Sequence, residues 1–151
     1  MAELTSRQIE NLLSRAEVAS LATTDQNGDP YVIPVHFISE NDCIYVHSRL
    51  SGQKISNISS NPRVSMTIYE MDCVLPSESG TPCGTGTKFQ SAVIAGTASV
   101  VSDLDKKRHI LESFVEKYTP KLSESPMPKQ KINGTAIIEI QISEITGKQR
   151  P

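Results

Sequence analysis

The sequence predicts a mainly β domain, a six-stranded antiparallel barrel with two longer helices at its periphery. Three observations lead there. Six segments are rich in β-branched residues or alternate apolar with polar, and the first of them are joined by tight turns. A single strand–helix–strand passage contains a substantial helix, so parallel βαβ packing does not account for the order of elements. A strictly alternating segment comes last, after the second helix, in the place of a returning strand. At 151 residues the chain reads as one domain, able to bury about 70% of its unfolded surface around one core.

Leu4, Ile9, Leu12, Leu13 and Ala16 repeat at helical spacing, and Thr5 with Gln8 forms a capping box, which predicts the first helix. Val18 to Thr24 reads as a small-residue strand, closed by Asp25-Gln26-Asn27-Gly28-Asp29 with its Asn-Gly hairpin signal. Tyr31 to Ser39 pairs back across that turn. Pro34 has no N–H for a ladder, so this strand is an edge or is irregular there. Glu40-Asn41-Asp42 turns the chain into a third strand, Cys43 to Ser48.

Ser51 is an N-cap residue by type, and Ile55 and Ile58 give a short helix over 51–60 its apolar stripe. Asn61-Pro62 ends that helix, because proline disfavours the α region for the residue before it. Arg63 to Glu70 is a fourth strand. Residues 72 to 88, with Pro76, Gly80, Pro82, Gly84 and Gly86, read as a long loop of the kind that often closes over a site. Phe89 to Val101 is a long strand in which Gly96 marks a bulge or a close backbone approach. Ser102 with Asp105 caps the second main helix, with an apolar face of Leu104, Leu111, Phe114, Val115 and Tyr118. Thr119 to Gln130 holds three prolines and reads as a polar linker. In the last strand, 135–145, Ile138, Ile140 and Ile142 face one way and Glu139, Gln141 and Ser143 the other.

Composition excludes several classes. A formal net charge of −2 with 37% hydrophobic residues argues against disorder and against a broad nucleic-acid footprint. No apolar run approaches the length needed to cross a bilayer, and the first residues lack the plan of a signal peptide. Three cysteines, at 43, 73 and 83, make neither a C-x-x-C pair nor an even set, so a reducing compartment, the cytoplasm, is expected. Ser51-Gly52-Gln53-Lys54 matches S-x-x-K, but the partner motifs of serine acyl enzymes are absent, as is any P-loop.

The chemistry concentrates between residues 36 and 54. Arg49, Gly52 and Lys54 gather where the short helix begins. A helix start offers unpaired N–H groups and partial positive charge, which suits a phosphate; a surface turn with solvated basic residues is the competing reading. His36 and His47 sit on the second and third strands, and His47 shares its face with Tyr45. With no third ligand beside them a metal site is not expected, and the two histidines line a pocket or serve as hydrogen-bonded structural residues. His109, in a Lys-Lys-Arg-His run, reads as part of a solvated helix face.

Four stretches in order, Gly28 to Phe37, Ile44 to Ser48, Gly52 to Ile58 and Asn61 to Val64, resemble the pyridoxamine 5′-phosphate oxidase-related flavoproteins, and among them the Nim-type, nitroimidazole reductase-like branch. Phe89 to Gly96 resembles the long-strand motif of that group, and Ile145-Thr146-Gly147-Lys148 its ending. The resemblance runs over roughly residues 5 to 148 and rests on the order and spacing of the pieces. It implies a split β-barrel that binds FMN and works as a homodimer, with two flavin sites at the subunit interface. It places Arg49, Gly52 and Lys54 at the FMN phosphate. It places Val35 and His36, on strand 33–37, along the isoalloxazine with Tyr45, Val46, His47 and Ser48, and brings Gln90 and Ser91 in from the long strand. His47 matches the histidine of the family's aromatic-x-His-small motif and is the candidate catalytic residue.

The implied activity is that of an oxidoreductase passing electrons or hydride from reduced FMN to a small organic acceptor, a nitro compound among the candidates, with NAD(P)H a candidate donor. The alternative is a non-catalytic sensor or store holding flavin or haem, and a deazaflavin is a further candidate cofactor. One departure argues against vitamin B6 oxidation. The family's true oxidases end in a tryptophan-containing, arginine-bearing segment, and this chain has no tryptophan and ends Gly147-Lys148-Gln149-Arg150-Pro151.

Overall fold

The computed structural model describes residues 1–151. Its elements are β1 (Ala2–Glu3), α1 (Ser6–Arg15), β2 (Ala19–Thr24), β3 (Pro30–Val35), β4 (Ile38–Glu40), β5 (Cys43–Ser48), α2 (Gln53–Ser60), β6 (Arg63–Leu75), β7 (Gly86–Val100), α3 (Leu104–Tyr118), α4 (Lys129–Asn133) and β8 (Ala136–Arg150). All strand pairs are antiparallel, in the order β3-β2-β6-β7-β8-β5-β4, with β1 added to β8. The two ends of that path, β3 and β4, are separated in the chain only by His36 and Phe37. A sheet whose first and last strands are joined by two residues must curl until they meet. With no ladder between them, the barrel closes covalently and stays split.

The mainly β, antiparallel architecture with peripheral helices is therefore the one expected, with eight strands in place of six. One addition is the two-residue β1. The other arises because 31–39 is not one strand: it breaks at His36–Phe37, two residues beyond Pro34. Pro34 itself lies on the edge strand β3, where its missing N–H leaves no ladder bond unmade.

Two apolar layers hold the fold. Leu12, Leu21, Phe37, Val46, Met66, Ile94 and Ile140 belong to a large cluster inside the barrel. Outside it, Ile38, Tyr45, Ile110, Leu111, Phe114, Ile132 and Ile137 pack α3 and α4 against β4, β5 and β8. The alternation along β5 sorts its side chains as expected, with Ile44 and Val46 inward and Tyr45 outward. At Gly96 the ladder shifts register against β8, and a Cβ there would lie 2.6 Å from the Gln141 carbonyl oxygen. Only glycine tolerates that approach.

Other boundaries move. α1 has its Thr5–Gln8 capping box. α3 is capped by Asp103, which accepts from the Lys106 N–H at 2.7 Å, and not by Ser102. Its buried face is Lys107, Ile110, Leu111 and Phe114, while Leu104, in the first turn, is 54% exposed. The loop expected over 72–88 shrinks to 76–85, since β6 runs to Leu75 and β7 starts at Gly86, with a bulge between Met71 and Cys73. Those flanks carry little burial signal because backbone pairing, not a core, holds them. The 119–130 linker holds a short turn at Pro120–Leu122, and α4 follows with Ile132 buried beneath it. β8 continues to Arg150, pairing along β7 well past 145. All three cysteines are free. No helix is long and apolar enough to cross a membrane.

Candidate functional site

α2 begins at Gly52, not Ser51. Gly52 takes φ +131°, the helix has no side-chain N-cap, and no acidic residue occupies its first turn. Its first free N–H groups therefore face outward without a competing partner, which is the condition for holding an anion. Three amide side chains fix the helix in place. Gln53 Nε2 donates to Asn57 Oδ1 at 2.7 Å, buried Asn57 Nδ2 donates to Thr23 Oγ1 at 2.9 Å, and Asn61 Nδ2 donates to Thr24 Oγ1 at 2.7 Å. Asn57 and Asn61 thus hold the middle and the end of the helix against β2, and Gln53 ties its first turn to Asn57.

At that start lies a hollow of about 260 Å³, whose walls include Tyr31, Ser48, Arg49, Gly52 and Lys54. Beside it a cleft of about 360 Å³ is lined by Val18, Pro34, Val35, His36, His47 and Lys54. Lys54 borders both, and neither contains a carboxylate. Burial lowers the Lys54 pKa, so the ammonium lacks part of its hydration and an anion would supply what water does not.

The two histidines are brought together in the cleft, with ring centroids 6.1 Å apart and an edge-on arrangement. His47 projects from the outer face of β5, whereas His36 is not on a strand: it sits in the break between β3 and β4. Both lean on aromatic rings of α3. His36 stacks on Tyr118 at 4.6 Å, and His47 meets the edge of Phe114 at 4.9 Å. The His47 pKa is lowered by desolvation first and by His36 and Lys54 second, which keeps the imidazole neutral near pH 7 with one N–H to donate.

The remaining candidates divide. Val46 is fully buried in the barrel, and Tyr45 packs beneath α3 with its hydroxyl donating to Glu139 Oε2 at 2.7 Å, so neither side chain reaches the cleft. The Tyr45 pKa is raised, by burial and then by Glu139. Gln90 and Ser91 lie elsewhere on the molecule. Gln90 is held by Arg15 and by Gln149 Oε1 at 3.1 Å, beside the Arg15–Glu70 ion pair of 2.7 Å. Phe114, Lys117 and Tyr118 were not among the expected site residues. Nothing local in the sequence marks them, because the fold brings them from a helix more than sixty residues downstream of His47.

On the far side of Phe37 a groove of about 650 Å³ runs between α1, β4 and α3, with Glu10, Glu40, Glu112, Glu116, His109 and Lys117 on its walls. His109, expected on a solvated face, is exposed but pairs with Glu40 at 2.7 Å.

The family model described as pyridoxamine 5′-phosphate oxidase matches residues 5–149. The chain belongs to that family. No curated protein sequence matches it. Solved structures share the fold at low identity. The flavocytochrome Anf3 of Azotobacter vinelandii superposes with a TM-score of 0.84 at 22% identity, over 97% of this chain and 68% of that one. An FAD- and haem-binding protein of Mycobacterium smegmatis gives 0.85 at 17%, over 96% and 71%. A proposed 5-nitroimidazole antibiotic resistance protein of Bacteroides thetaiotaomicron gives 0.78 at 23%, over 97% and 85%. The family resemblance read from the four sequence stretches is thereby established, and the split barrel with it.

Proposed function

We propose that this protein binds FMN, with the phosphate at the start of α2 and the ring system along the His36–His47 cleft, and that it is an oxidoreductase. One observation carries the reading: Lys54 joins an uncapped, carboxylate-free helix start to a cleft walled by two histidines. A phosphate on a planar ring system matches that pair of compartments. Gly52 would let the phosphate approach the backbone, and Arg49 and Lys54 would neutralise it. When bound, reduced FMN supplies electrons or hydride to a small organic acceptor, a nitro compound being the favoured class and NAD(P)H the donor. His47 would orient that acceptor through the N–H of its neutral ring, or protonate it from the imidazolium form.

Gln90 and Ser91 do not share the cleft within one chain, so the reading requires a second copy to bring them there. Val93 on the same strand as those residues, and Tyr69 and Met71 on the neighbouring β6, where Tyr69 pairs with Ser91, are 50%, 55% and 56% exposed and support a covered face there and hence a homodimer. Sedimentation at micromolar concentration should give twice the chain mass, and a flavin-loaded monomer would contradict it.

The decisive experiment compares FMN with riboflavin. Charge-assisted contacts contribute roughly 1.5–3 kcal/mol, so Lys54→Ala should weaken FMN about ten- to a hundredfold while riboflavin, lacking the phosphate, changes little. Equal weakening of both would place the phosphate elsewhere. A second reading, a haem or flavin store, is favoured by the paired imidazoles, since haem iron takes histidine ligands. The absorbance spectrum of the purified protein separates the two. A flavin spectrum that bleaches with NAD(P)H and returns with an acceptor supports the oxidoreductase; a haem band without turnover supports the store.

A further inference from the structure

The break between β3 and β4 leaves Phe37 outside any ladder, so its main-chain groups must find partners elsewhere. Both come from the end of α3. The Phe37 N–H donates to Tyr118 Oη at 3.0 Å, and its carbonyl accepts from Lys117 Nζ at 3.0 Å. The Tyr118 hydroxyl has one proton to give. Its shortest acceptor is the Glu17 carbonyl at 2.7 Å, against 3.0 Å for Phe37, so Lys117 is the donor the Phe37 carbonyl depends on. Lys117 also donates to the Leu13 carbonyl at 3.2 Å and lies 4.1 Å over the Phe37 ring. Two consecutive side chains thus tie together the end of α1, the entry to β2 and the barrel's split.

The neighbour of Phe37 is His36, and its ring stacks on the same Tyr118. The stack and the hydrogen bonds act on the two adjacent residues of the break between β3 and β4, of which His36 walls the cleft. From this we infer that Tyr118 and Lys117 are positioning residues for the ring end of the cleft, setting the place of His36 through the Phe37 backbone. The inference rests on the FMN reading for its ligand but not for its geometry. Burial that draws the Lys117 pKa down to about 8 accords with an ammonium whose hydration these carbonyls replace.

The test uses the full chain with Tyr118→Leu, Tyr118→Phe and Lys117→Met, and two measurements. The first is proton NMR of the histidine rings without ligand. In the parent, stacking should displace the His36 signals by the ring current of Tyr118. Tyr118→Leu should return them to the free-histidine position. Tyr118→Phe, which keeps the ring and loses the hydroxyl, and Lys117→Met should each shift them part of the way. The second is titration with FMN and riboflavin. Aromatic stacking and one hydrogen bond are each worth about 1 kcal/mol, so Tyr118→Leu, which loses both, should weaken binding about thirtyfold and the other two about fivefold. FMN and riboflavin should weaken by the same factor, since the effect lies at the ring end; Lys54→Ala separates them.

Undisplaced His36 signals in the parent would overturn the inference. So would signals that ignore all three variants, or a loss confined to FMN. If the parent binds neither flavin, the FMN reading falls and the NMR arm alone decides whether Tyr118 and Lys117 position His36. Tyr118→Phe removes no buried carbon, so it keeps the test open should Tyr118→Leu not fold.

Discussion

Two hollows lie on either side of Phe37, and they differ in almost everything except distance along the chain. Pro34, Val35 and His36 wall a cleft without a carboxylate, next to Lys54; Ile38, Ser39 and Glu40 wall a groove that carries four glutamates. Phe37 points into the barrel and Ile38 into the outer cluster, so a turn of two residues hands the chain from one compartment to the other. The lesson is that the split, not the strands, creates the chemistry. It frees His36 from a ladder, faces it toward His47 and gives α3 a seam to clamp. By volume the acidic groove is the larger, yet it lacks an uncapped helix start such as the one in the hollow beside the basic cleft.

The comparison breaks most severely at Phe114, which belongs to the outer cluster and supports His47 from below. Phe114→Ala should cost about 3–5 kcal/mol in urea unfolding and disturb the cleft as well. A loss under about 1 kcal/mol would mean that the wall between the compartments does not depend on this ring.

Gly52→Ala should act on the basic cleft alone. At φ +131° a Cβ is strained although nothing stands within 4 Å of it. A stability loss of about 1–3 kcal/mol is expected, together with weaker FMN binding as the helix start shifts. Unchanged FMN affinity would remove the helix start from the site.

The boundary itself is sharpened by pH. Burial lowers Lys117 from its usual 10.5 to about 8, against the opposing pull of Glu17. Below pH 8 folded and unfolded chains both carry the proton, and the folded one bears the cost of burying the charge. Between pH 8 and 10.5 the unfolded chain holds more protons at this site, so its contribution to stability rises with pH through that window. The stability of the parent relative to Lys117→Met should therefore climb from pH 8 to 10.5 in urea titrations. A flat difference would mean that the ammonium is not desolvated.

The smallest effect is expected in the acidic groove. Glu112→Gln, at an exposed helix position, should change stability by less than about 0.5 kcal/mol and FMN affinity by less than twofold. A larger change in affinity would show that the two compartments are coupled through α3.

Much of this was legible residue by residue. Thr5 and Gln8 announce α1, Asn27-Gly28 announces the β2–β3 turn, and Gly96 announces the close approach to Gln141, because each depends on contacts a few residues away or on one missing Cβ. Arg49, Gly52 and Lys54 were legible as neighbours because one helix start gathers all three. The loop expected over 72–88 was misjudged for the opposite reason. Strands that project beyond a core show no alternation of burial, and only their pairing defines them.

By itself, then, the sequence determined the mainly β class, the order of the elements, the gathering of basic residues at one helix start, and the family. These follow from periodicity, capping and turn chemistry, which act over a few residues. Tertiary structure alone decided that 31–39 breaks at His36–Phe37, and that Val46 and Tyr45 turn away from the cleft. It also decided that Phe114, Lys117 and Tyr118 stand behind the histidines, and that Gln90 lies apart from them. The physical reason is closure. A sheet whose end strands are consecutive in the chain must roll up. The partners of the backbone groups freed at its seam are then chosen by packing between elements far apart in sequence.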